Sequence, residues 1–170
     1  MRRGPGGPRL PPRDDGQVQG LLDLLDEAFS RRSWHGTNLR GSIRGLAPAL
    51  AAWHPGPGRH SIRELVVHAA YWKYAVWRRL AGEKRGSFSL EGSNWFPRPD
   101  GADPKGWAVD VALLTAEHKR LRDAVARLSP ADLRRVPKGS RVTVAGLVRG
   151  AAAHDLYHAG QIQLLKKLAS

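Results

Sequence analysis

An all-α four-helix bundle is the fold this sequence predicts, on three observations. Four long segments repeat apolar residues at spacings of three and four. No segment of useful length alternates with the strand period, and no internal repeat is present. Residues 83–102, between the second and third long segments, carry Gly, Ser, Pro and Asn with no sustained period. A connection of that length allows a crossover, so that the helices on either side of it run parallel. At 170 residues the chain suits one domain that buries most of the apolar surface of its helices without cross-links.

Residues 1–13 hold four arginines among glycines and prolines and read as a disordered basic tail; the helical domain is expected over 14–170. Asp14 or Asp15 caps a first helix with apolar positions Val18, Leu21, Leu22, Leu25 and Phe29, ending near Ser33. Trp34-His35-Gly36-Thr37-Asn38 breaks the pattern. A shorter helical piece carrying Leu39, Ile43 and Leu46 runs up to Pro48, and the Pro- and Gly-rich segment 54–60 is a loop. Ser61-Ile62-Arg63-Glu64 is a capping box, in which each side chain bonds the other residue's backbone amide. It opens the second long helix, with the stripe Ile62, Leu65, Ala69, Trp72, Val76 and Leu80, His68 beside it, and Gly82 at its close.

Asp103-Pro104 supplies a cap followed by proline at the first helical position. The third long stripe is Trp107, Val111, Leu114, His118, Leu121, Val125 and Leu128. Ser129-Pro130 starts a brief helical turn to about Arg135. Thr143 caps the last helix, whose stripe runs Val144, Leu147, Ala151, His154, His158, Ile162 and Leu165.

Composition excludes several chemistries. With no cysteine there are no disulfides, thiolate metal sites, cysteine nucleophiles or iron–sulfur clusters, and histidine and carboxylate are left as metal ligands. The absence of Cys suits a reducing cytoplasm, where the protein is expected. The tail lacks the apolar core of a secretory signal, and no apolar run is long enough to span a membrane. The net charge of +13 raises nucleic acid as a partner, but the arginines are spread through every segment, which fits weak, salt-sensitive, sequence-blind binding better than a recognition surface.

His154 and His158 stand four apart, on one face of a helix and one turn from each other, so both imidazoles can reach one ion. Core histidines satisfied by a carbonyl or carboxylate share that spacing. Their place on an apolar stripe, where a buried ring without a partner costs a few kcal/mol, favours the ligand reading. His68 is the third candidate. The zinc-protease signature, with a glutamate beside the first histidine, is absent. Three neutral nitrogens on a divalent ion leave at least one position for water or substrate, the pattern of a reactive site.

These residues resemble the DinB-like family of metal-dependent four-helix-bundle proteins. The likeness runs from Leu21 to the C-terminus: Trp34-His35-Gly36, Leu65-x-x-His68-x-x-x-Trp72 with Leu80-Ala81-Gly82, and His154-x-x-x-His158-x-Gly160-Gln161-Ile162. The resemblance implies an up-down-down-up bundle, a single divalent ion, zinc or nickel, on His68, His154 and His158, and a homodimer. It also implies a damage-inducible stress-response or detoxification protein, with transfer or hydrolysis by a metal-activated low-molecular-weight thiol or water as the reaction. The alternative is a non-enzymatic stress-response protein whose basic surface contacts nucleic acid.

Other residues carry open expectations. Asp155, Glu64 and Gln161 can orient the imidazoles; for Asp155 and Glu64, exposed helix polarity and the cap compete. His118 is a fourth ligand, pocket lining or a core histidine, and His35 lines the pocket mouth or belongs to a turn. His54 and His60 are loop residues. Trp95 and Phe96 are packing or a lid over the open metal position.

Overall fold

The computed structural model describes residues 16–170, so the expected tail and the Asp14 and Asp15 caps lie outside it. Among the described residues the protein is all-helical: α1 (Gly16–Phe29), α2 (Leu39–Ser42), α3 (Pro48–Ala52), α4 (Ile62–Ala81), α5 (Pro104–Val125), α6 (Pro130–Arg134) and α7 (Val144–Leu168).

The caps follow from local chemistry. Ser61 Oγ accepts from the Glu64 amide while Glu64 accepts from the Ser61 amide, and Gly82 ends α4 in the left-handed region at φ 73°. Asp103 accepts from the Gly106 amide at the start of α5, and Thr143 from the Gly146 amide at the start of α7. Two boundaries differ from expectation. α1 stops at Phe29, where the amides of Ser30 and Arg31 both close on the Asp26 carbonyl. The single piece expected up to Pro48 is instead two one-turn helices separated at Gly45, which has φ 66°; Pro48 opens the second of them, since its fixed φ and missing amide proton suit a first helical position.

Two apolar clusters fill the bundle. One joins Val18 and Leu21 of α1, Val76 and Leu80 of α4, Leu121 and Val125 of α5, and Val144 and Val148 of α7. The other joins Phe29, Ile62, Leu65, Trp107, Leu114, Ile162 and Leu165. The starts of α1 and α7 thus share an end with the finishes of α4 and α5. Segment 83–102 therefore carries the chain back along α4, whose 20 residues span about 30 Å. It is fastened by buried Phe96 and by Arg98, which with Arg63 grips buried Asp110 from two sides, at 2.7 Å and 2.8 Å. This clamp ties the segment to both α4 and α5, directly beyond the residues that reach the histidines.

Candidate metal centre

His68 comes from the second turn of α4, and His154 and His158 from consecutive turns of α7 where it crosses α4. Their Nε2 atoms converge: 3.2 Å from His68 to His154 and 3.0 Å from His158 to His154. Opposite nitrogens are anchored on two of the rings. His68 Nδ1 donates to the Asn94 carbonyl at 2.8 Å, and His158 Nδ1 donates to Gln161 Oε1 at 2.6 Å. Each bond places the ring proton on Nδ1 and leaves the Nε2 lone pair facing the cluster. Burial lowers the pKa of all three rings, with neighbouring positive groups adding to it, to about 3 for His154 and about 4 for His158. They are neutral at physiological pH, as ligands must be.

His68 and His158 turn their Nε2 lone pairs toward Nε2 of His154, and three neutral ring nitrogens focused on one point are a donor set that a cation can join. A tetrahedral ion with nitrogens at 2.0–2.1 Å sets its ligand atoms about 3.3 Å apart, close to the spacings seen, so the donor set fits a divalent cation. Beside the cluster lies a cavity of about 630 Å³ lined in part by Arg59, His60, Trp95, Tyr157 and Gln161. An ion on the three histidines would face it.

The surrounding residues sort as follows. Gln161 takes the orienting role expected of it. Asp155 does not: it is fully buried and bonded to Lys73 of α4 at 2.5 Å, so it neither faces solvent nor bonds an imidazole, and burial raises its pKa against the pull of Lys73. Glu64 serves the cap and also contacts His54 and His60, both at 3.3 Å, so it orients none of the three. His118 is a core residue and not a fourth ligand. It stacks on Phe29 at 3.7 Å, its Nδ1 has no partner, and burial next to Lys73 and Arg122 drives its pKa to about 2. His35 lies exposed on a turn outside the cavity lining, with Gly36 at φ 95°. Trp95 covers His68, stacked at 3.9 Å, whereas Phe96 packs on Tyr71 and Phe88 away from the cavity.

Two participants escape a reading of the sequence. Asn94, at φ 67°, gives its carbonyl to His68 and its side-chain oxygen to Trp72 Nε1 at 3.0 Å, so one residue in a left-handed conformation holds both aromatic groups. His60 stacks on the other face of Trp95 at 3.6 Å and lines the cavity. The only available signal was its place immediately before the capping box, which puts it at the same end of α4 as His68.

A helical bundle with a largely buried three-histidine cluster open to a cavity is the class these features define. The chain belongs to the DinB superfamily, whose family model matches residues 31–162. That span contains all three histidines and leaves out α1, although the resemblance was expected to start at Leu21. No curated protein matches the sequence.

Proposed function

We propose that the protein is a metal-dependent enzyme in which His68, His154 and His158 hold one divalent ion, zinc or nickel, and that it acts by nucleophilic transfer or hydrolysis with a small thiol or water. The observation that carries this reading is the convergence of three neutral Nε2 atoms beside a cavity, with two rings locked by bonds to Nδ1. Membership of a superfamily that is generally metal-binding supports it. A divalent ion so held lowers the pKa of a coordinated water or thiol and makes it nucleophilic near neutral pH.

The chain's own residues do the rest. Asn94 and Gln161 fix two ring orientations, Trp95 shields His68, and burial keeps all three rings unprotonated. Arg59, His60 and Tyr157 line the cavity where a cosubstrate meets the site. A detoxification role in the cytoplasm, induced under stress, and a homodimeric state complete the proposal. Elemental analysis of untagged protein tests it: one divalent ion per chain is expected, and full occupancy in His158→Ala would overturn the three-histidine site. A panel of small thiols with electrophilic acceptors, assayed with and without chelator, then reads the reaction.

A further inference from the structure

A second recess, of about 260 Å³, lies between α4 and α7 on another side of His154. Trp72, Val76, Val142, Leu147 and Ala151 form its walls, and the His154 ring closes it. Its volume has room for roughly nine groups at the 30 Å³ a water occupies in the liquid.

Gly146 and Gly150 stand one turn apart on this face of α7, although glycine is among the poorest helix formers. Gly146 has a steric reason, because a Cβ there would come within 2.5 Å of Val142. Gly150 has none: a Cβ would meet nothing within 4 Å. The side chain it lacks leaves the recess open. Arg79 also lines the recess, and its one hydrogen bond is a long one, 3.4 Å to the Ala75 carbonyl. Among the described residues no carboxylate lies within ion-pair reach of it, and Arg78 and Arg85 add positive charge nearby. Apolar walls and a solvent-reachable guanidinium at the rim, free of any carboxylate partner, suit an occupant with an apolar body and one anionic end.

We propose that this recess is a binding site for a small molecule with an apolar body and one anionic end, the body lying between Trp72, Val76 and Leu147 and the anion on Arg79. The site is independent of the metal reading, since no bond in it needs an ion on the histidines.

Calorimetric titration of the full chain as purified, with octanoate and with octan-1-ol, tests the site. Octanoate is expected to saturate at one per chain and to bind more tightly than the alcohol. Gly150→Leu fills the recess and is expected to weaken both ligands at least tenfold; because leucine favours the helix, its melting temperature should match or exceed that of the parent. Arg79→Gln is expected to weaken octanoate about fivefold to tenfold and leave octan-1-ol unchanged. Absence of saturation, an unchanged affinity in Gly150→Leu, or equal losses for both ligands in Arg79→Gln would overturn the proposal. Metal content is measured on the same samples, so failure of this site and failure of the three-histidine site are read separately.

Discussion

His118, like His154 and His158, stands on a helical stripe, with His68 beside another, and burial lowers the pKa of every one of these rings. What separates them is the use of their nitrogens. In the cluster, Nδ1 of His68 and of His158 is bound to an oxygen and Nε2 is turned toward its neighbours. In His118, Nδ1 has no partner and the ring lies flat on Phe29, behaving as an aromatic that happens to contain nitrogen. Burial and helical spacing alone therefore do not define a ligand. A fixed tautomer and a shared focus do.

The comparison breaks most sharply by removing a ligand. His154→Ala or His158→Ala leaves two protein nitrogens, and tight divalent binding is expected to disappear in a competition titration against a chromophoric chelator. Gln161→Leu keeps all three ligands but frees the His158 ring, and affinity in the same titration should fall about 10–100-fold with stoichiometry unchanged. Affinity equal to the parent would show that the Nδ1 bond is incidental.

Acid tests all four rings together. Their pKa is about 6.5 in the unfolded chain but about 4 for His158, about 3 for His154 and about 2 for His118 in the folded one. Below pH about 6.5 the unfolded state binds protons that the folded state refuses, so stability falls as pH falls, and the penalty from His158 is complete only below about 4. Melting temperatures of metal-free protein should drop steadily from pH 6.5 to 4, and bound metal should be held over the upper part of that range and released toward its lower end, where protons begin to compete for Nε2 of the folded rings. A flat profile would contradict the burial of these rings. The smallest effect belongs to His118→Phe. It removes an unsatisfied buried nitrogen and keeps the stack, so metal binding should be unchanged and unfolding free energy should stay within about 1 kcal/mol of the parent or rise. A loss above about 3 kcal/mol in denaturant melts would reveal a partner for Nδ1.

Local signals were legible in the chain because they act over three or four residues. The Ser61–Glu64 box, the Asp103 and Thr143 caps and the facing pair His154 and His158 are of this kind. His68 was placed by its position beside the α4 stripe and by family resemblance. What stayed hidden depends on where distant segments meet. Asn94 sits in a stretch with no period, and its left-handed backbone leaves no trace in residue spacing. Asp155 resembles any polar helix residue until α4 brings Lys73 against it. Pro48 has one identity compatible with either ending a helix or beginning one, and only the turn at Gly45 decides.

Residues 83–102 make up most of the longest irregular stretch among the described residues, and Asn94 within them holds His68 in place. Local opening of a structure draws on its least cooperative elements, and a loop held by side-chain contacts such as Phe96, Arg98 and the Asn94 bonds can detach while four packed helices stay intact. The turnover of bound ion should then follow the opening of this loop, with amide exchange around Asn94 and Trp95 keeping pace with metal dissociation. Arg98→Gln, which loosens the fastening without altering a ligand, should speed both together and leave the exchange of the α7 core amides untouched.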